Sequence, residues 1–390
     1  MKIGLVCPYD ITKGGGVQEI VRAQQKGLQA RGHDVYIVTP LPREGAKRED
    51  KIIFVGGSAD FSALGTTAQV SAGVNDTIDE MLEEHQFDIL HFHEPWVPML
   101  SLQILSRSNT INIATFHAKL PETMMSRTIS KVVTPYTKSV LKYIHELTAV
   151  SEAAADYVCS MTDRSVAIVP NGIDLSFYKP PARRSDNRKV KTVFYVGRLE
   201  PRKGVKYLLR AFHLLQQKQP DVQLLIAGDG PDRERLEELA IDLELKDVKF
   251  VGYITNEEKR QHLQSADLFC APALHGESFG IVLLEAMACG LVTVAGDNPG
   301  YASVMQGLGA VSLVNPKHSA EFARRLELLL HENELRSLWR TWAAEDVQQY
   351  DWAKVVDQYE SIYALARKNH KPKGDDNEIE SRLSLRRLTR

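Results

Sequence analysis

Glu277 and Glu285 stand eight residues apart in His275-Gly276-Glu277-Ser278-Phe279-Gly280-Ile281-Val282-Leu283-Leu284-Glu285, a glycine-punctuated loop that runs into an apolar, helix-like stretch. A helix beginning near Phe279 sets the two carboxylates roughly 10 Å apart. That separation suits one carboxylate on sugar hydroxyls and the other on a nucleoside ribose. A diphosphate would lie between them, against the Phe279 and Gly280 amides at the positive helix end. Taken singly, Glu277 also fits an N-terminal cap and Glu285 a solvated helix position. The apolar neighbours Ile281–Leu284 and Ala286–Cys289 weigh against solvent around Glu285. Upstream, Gly197-Arg198-Leu199-Glu200-Pro201-Arg202-Lys203-Gly204 offers the planar fork of Arg198 and the point charge of Lys203. Both are suited to a departing diphosphate. A solvated basic loop is the rival reading of this segment, and Arg202 is assigned to it.

Gly14-Gly15-Gly16 separates the first apolar run from the first amphipathic stretch. It fits an anion site at a helix start or a plain tight βα turn equally well. A dinucleotide-binding oxidoreductase is disfavoured: the glycines lack the G-x-G-x-x-G spacing, and the second apolar run ends in Thr39-Pro40 with no acid for a ribose. His91 and His93 alternate onto one strand face but lack an evident third ligand, so they read as structural. The chain contains no D-x-D pair. No tightly bound metal or cofactor is therefore expected, and magnesium at most as a stimulant.

The elements that must position these residues follow one grammar twice. Apolar runs at Ile3–Cys7, Asp34–Thr39, Ile52–Val55, Ile89–Phe92, Ile111–Phe116 and Val166–Pro170 alternate with helix-like pieces such as Val17–Arg31. Alternation of this kind implies an α/β fold with a parallel sheet covered on both faces. After Asn171-Gly172 and a polar stretch it begins afresh, with runs at Thr192–Val196, Gln223–Ala227, Val248–Val251, Asp267–Ala271 and Leu291–Ala295. Two doubly wound domains facing across a cleft are expected, 1–175 and 176–350. A final helix over 351–370 would cross back to the first domain, and a basic tail over 371–390 would be disordered. In such sheets ligands sit beyond the carboxyl ends of the strands.

At 390 residues, 43% hydrophobic and 25% charged with a formal net charge of −2, the chain suits two globular domains and shows no basic footprint for nucleic acid. Four dispersed cysteines fit a reducing compartment. With neither a signal-peptide pattern nor a long apolar run, a cytoplasmic body is expected.

The E-x7-E pattern ending in E-A-M-A-x-G, with the upstream G-R-x-x-x-x-K-G, resembles the retaining GT-B glycosyltransferases of the family 4 type. Further shared wording resembles the phosphatidylinositol mannosyltransferases: Ile3–Tyr9, Gly15-Gly16-Val17-Gln18, His93-Glu94-Pro95, Ala114–His117, Pro170-Asn171-Gly172 and Tyr350-Asp351-Trp352. The resemblance implies a GT-B fold of two Rossmann-like domains, the first for the acceptor and the second for the nucleotide sugar. It implies transfer of mannose from GDP-mannose to a lipid such as phosphatidylinositol, at the inner membrane face. Arg198 and Lys203 would hold the diphosphate, Glu277 the hexose and Glu285 the ribose. Gly16, Ser278, Phe279, Gly280, Ile281 and the base-reading loop at Ile254 would complete the donor site. His117 would face the reacting sugar, with Tyr9, Gly15, Gln18 and Lys119 on the acceptor. Other retaining transferases with soluble acceptors, and a non-catalytic nucleotide-sugar binder, are the alternatives.

Some positions depart from the group. Trp96 replaces an Asn, Glu122 lies where a lipid phosphate would be repelled, and Asn256 stands where the group carries an acid able to read guanine. The helix before Asp88 is acidic rather than basic. Membrane contact would fall instead to Lys119–Lys142 or the tail's Arg382–Arg390, against the alternative of a solvated tail.

Overall fold

The computed structural model describes residues 1–42, 45, 49–63, 66–72, 77–97, 99–118, 134–182 and 188–370. Lys119, Glu122, Arg127, Lys131 and the tail lie outside the described residues. The first half runs β1 (Lys2–Val6), α1 (Gly16–Ala30), β2 (Asp34–Pro40), β3 (Ile52–Val55), β4 (Gly57–Ala63), β5 (Thr66–Ala72), α2 (Thr77–His85), β6 (Ile89–His93), α3 (Leu100–Leu105), β7 (Ile111–Phe116), α4 (134–141), β8 (Glu146–Ala149), α5 (Glu152–Cys159) and β9 (Val166–Ile168). The second half runs β10 (Lys191–Val196), α6 (Val205–Lys218), β11 (Val222–Ala227), α7 (Arg233–Asp242), β12 (Val248–Gly252), α8 (Asn256–Ser265), β13 (Leu268–Ala271), α9 (Ile281–Ala288), β14 (Thr293–Gly296), α10 (Pro299–Val304), β15 (Leu313–Val314), α11 (Ser319–His331), α12 (Asn333–Asp346) and α13 (Trp352–Asn369).

Among the described residues the strands form two parallel sheets, seven-stranded in the order β3-β2-β1-β6-β7-β8-β9 and six-stranded in the order β12-β11-β10-β13-β14-β15. The apolar runs form these strands because helices cover both faces: all six residues of β7 are buried, as are all four of β13. In each sheet the order reverses once, between β1 and β6 and between β10 and β13. Crevices form at such switch points, beyond the carboxyl ends of the strands.

α13 packs on the first sheet. Val355, Val356, Tyr359, Tyr363 and Ala366 are buried in one cluster with Ile3, Leu5 and Val35. The Tyr363 hydroxyl lies 2.7 Å from His91 Nδ1 and accepts from Gln24 Nε2 at 3.0 Å. The two chain crossings between the halves run side by side: Ile173 N donates to Tyr350 O at 2.8 Å, and Trp352 N to Ile173 O at 3.3 Å.

The structure departs from the sequence expectation where periodicity is weak. The antiparallel hairpin β4–β5 was not expected from its small polar residues, and β8 and β15 are too short to stand out. β9 ends two residues before Pro170, and α9 starts at Ile281 rather than near Phe279. No helix among the described residues is long and apolar enough to cross a membrane.

Candidate active site

At the switch point of the second sheet, the loops after β10 and β13 are locked together. The 3₁₀ turn Pro201–Lys203 ends in Gly204, at φ +74°, where a Cβ would come within 2.0 Å of Pro272 O. Only glycine permits that approach in that conformation. Leu274 N donates to Arg202 O at 2.9 Å, completing the clamp. Lys203 Nζ and Arg202 Nη1 each reach Glu277 Oε1 at 2.8 Å. Behind them the buried Glu200 spans Arg198 Nε at 2.8 Å and Arg202 Nε at 2.9 Å. Three cations thus meet two carboxylates, and the excess positive charge leaves the cluster able to take a further anion.

Glu277 does not cap the helix that follows. The N-cap of α9 is Gly280, at φ 115°, without a side-chain cap bond. A Cβ there would lie 2.8 Å from Tyr301 Cδ1, so the tight entry into α9 demands glycine. The Ser278 carbonyl accepts from Ser151 Oγ, across from the first half. The Phe279 ring is buried edge-on against Tyr350, with centroids 5.8 Å apart, which leaves its backbone rather than its ring for a ligand. Glu285 is 4% exposed rather than solvated. Its Oε1 accepts from Lys259 Nζ at 2.6 Å and Tyr178 OH at 3.0 Å. Among the described residues its buried Oε2 has no partner. Burial raises the Glu285 carboxyl pKa, and Lys259 opposes the rise. Ile254, half-buried, directly precedes Thr255, which caps α8 in a box with Glu258 and so sets the entry to the helix carrying Lys259.

At the other switch point, the glycine triplet opens α1. None of its three residues lies in the left-handed region, Gly15 being extended at φ 177°, and a Cβ on Gly14 or Gly16 would meet nothing within 4 Å. The turn itself therefore does not require glycine at 14 or 16. What their absent side chains provide is open space at a helix start. Gln18 Nε2 reaches back to Asp10 O at 3.4 Å, and half-buried Tyr9 lies in the loop after β1, its carbonyl accepting from Thr39 Oγ1 at 2.8 Å. Glu19, one turn into α1, acts electrostatically on both Glu285 and Tyr178, so this helix start lies within reach of α9.

Histidines dominate the rest of this mouth. His117 follows β7 and is buried; its Nε2 lies 2.8 Å from His93 Nδ1. His93 stacks on both His91 and His117, at centroid distances of 4.6 and 5.1 Å. The third histidine that the sequence did not reveal is thus present, but it is bonded ring to ring. No cluster suited to a metal occurs among the described residues. Burial drives His91 and His117 down to about 3 and His93 well below its usual value, so all three are neutral. Glu94 anchors the group: Oε1 accepts from the His117 and Ala118 amides and Oε2 from Trp96 Nε1. Burial pushes its carboxyl up to about 8.

The pattern described as "Glycosyltransferase Family 4" matches residues 14–177, and that described as "Glycosyl transferases group 1" matches residues 180–346. The phosphatidyl-myo-inositol mannosyltransferase of Mycolicibacterium smegmatis is 34% identical over 367 residues, 93% of each chain. This chain belongs to the GT-B glycosyltransferases of the family 4 type. A second phosphatidyl-myo-inositol mannosyltransferase, from Propionibacterium freudenreichii, is 31% identical to this glycosyltransferase over 95% of this chain and 96% of its own. Among solved structures, sucrose-phosphate synthase from Thermosynechococcus elongatus shares the fold with a TM-score of 0.76 at 19% identity. That match covers 95% of this chain and 100% of the synthase.

In this glycosyltransferase, reading the sequence missed Arg202, Glu200, Lys259, Tyr178 and Glu94. Arg202, assigned to a solvated loop, is a partner of Glu277. Lys259 lies in Asn256-Glu257-Glu258-Lys259-Arg260-Gln261, whose dense charge reads as a solvated face. Tyr178 carries no local signal, because its contact to Glu285 spans 107 residues.

Proposed function

We propose that this enzyme transfers a hexose, mannose from GDP-mannose, to a hydroxyl of a lipid such as phosphatidylinositol, with retention at the sugar carbon. The observation that carries the reading is the Arg198–Arg202–Lys203–Glu277 cluster at the second switch point. Breaking a sugar–phosphate bond builds negative charge on the departing diphosphate. Fixed cations and helix-start amides oppose that charge, commonly the largest catalytic contribution. Glu277, held by two cations, would take the hexose hydroxyls, and Glu285 the ribose. The leaving phosphate would itself accept the acceptor proton on the front face, so no general base is assigned. Neutral His117 would position the sugar. Tyr9, Gly15, Gln18 and Lys119 would form the acceptor pocket, and the cytoplasmic membrane face would supply the lipid. The names of the two relatives, both phosphatidyl-myo-inositol mannosyltransferases, support mannose as the sugar and phosphatidylinositol as the acceptor. No tightly bound metal is part of the reading; magnesium would stimulate at most, and turnover should persist in a chelator.

GDP- and UDP-sugars offered with phosphatidylinositol and with soluble acceptors, followed by mass spectrometry, test the proposal. Mannosyl lipid from GDP-mannose is the expected product, and product on the soluble acceptors alone would overturn it. One observation favours that second outcome: the Trp96 indole is buried against Glu94, at the position where the resemblance leads to the expectation of Asn.

A further inference from the structure

Lys259 and Glu285 form a buried ion pair, 2.6 Å apart, with side chains 13% and 5% exposed. The pair joins α8 to α9, and the Tyr178 hydroxyl from the first chain crossing donates to the same Oε1. Lys259 Nζ also lies 5.6 Å from the Tyr178 ring centre. Both donors thus converge on one oxygen and turn the other, buried and unpartnered among the described residues, away from them. The remaining charges around Glu285 are few. Glu19 of α1 opposes its ionisation, while Arg260, next to Lys259, is committed to Glu257 at 3.0 Å and faces the Phe177 ring. Cys289, one turn on, is buried and acts on Tyr178. No second cation near Glu285 could replace Lys259 among these neighbours.

We propose that Lys259 is a positioning residue for the nucleotide: it supplies the counter-charge that keeps Glu285 an acceptor and leaves Oε2 for a ribose hydroxyl. This rests on the reading of Glu285 as the ribose ligand. Removing one member of a buried pair leaves an uncompensated charge, which a carboxyl relieves by taking up a proton. A protonated Glu285 becomes a donor and a weaker partner for a diol.

Titration calorimetry with GDP and with UDP on wild type, K259M, K259R and E285Q tests this. For K259M the expected result is binding about tenfold weaker near about pH 6, recovering toward about pH 8.5 as Glu285 loses its proton. K259R should restore wild-type affinity across that range, and E285Q should bind weakly without pH dependence. A K259M loss of equal size at both pH values would overturn the counter-charge role, as would K259M binding like wild type while E285Q binds weakly. E285Q binding both nucleotides like wild type would instead remove the ribose assignment itself. Unchanged circular dichroism of K259M separates these outcomes from misfolding.

Discussion

The two switch points are built from opposite materials. Beyond β10 and β13 lie five charged side chains, Arg198, Glu200, Arg202, Lys203 and Glu277, linked by contacts of 2.8–2.9 Å. At the carboxyl ends of β6 and β7 lie His93 and His117, buried and uncharged, with a Glu94 that burial inclines toward neutrality. One mouth keeps its charge by pairing, the other removes charge by desolvation. A group that leaves as an anion needs the first environment. A neutral hydroxyl and a sugar ring need only shape and hydrogen bonds, which the second offers without competing charge. Under the proposed function, this contrast would suit the two halves to different ligands.

The largest expected effect comes from acid. Three neutral histidines bind protons on unfolding but not in the fold, so stability is full above about pH 6.5 and falls as pH drops below it, by up to about 1.4 kcal/mol per unit for each. Glu94 acts in the opposite direction, its contribution falling as pH rises from its unfolded value toward about 8. Hydrogen exchange at pH 5 should therefore open β6 and β7 before β10 and β13; simultaneous opening would erase the contrast. Next, K203A or E277A should cut turnover by about 100- to 1000-fold while circular dichroism stays unchanged. Near-normal turnover in either would remove the charged mouth from the chemistry. G280A should lower stability by about 1–3 kcal/mol, because it combines φ 115° with the Tyr301 contact, and thermal melting measures it. Smallest is D357N: the exposed Arg31–Asp357 pair at 2.5 Å is expected to contribute less than about 1 kcal/mol.

Much of the fold was legible because parallel strands buried on both faces read as unbroken apolar runs. Ile52–Val55 and Ile111–Phe116 coincide with β3 and β7 to the residue. Glycines flagged the loops, and the E-x7-E spacing located both glutamates. What stayed hidden was pairing across the chain. Nothing local distinguishes Arg202 from a solvated arginine, since its partner Glu277 is 75 residues away. His117 was visible singly, but its bond to His93 depends on β6 and β7 being neighbours. The stretch 57–72, mostly Gly, Ala, Ser and Thr, gave no period to read.

The paired crossings at Ile173 and Asp351 have a consequence for recombination. Since α13 is cemented to β1, β2 and β6, the inheritable unit of the first half is discontinuous: it comprises the N-terminal stretch plus the eighteen residues of α13. A chimaera made by one cut near residue 176 would join a foreign closing helix to the wrong core. Exchange with a relative needs two junctions, one at each of the two crossings.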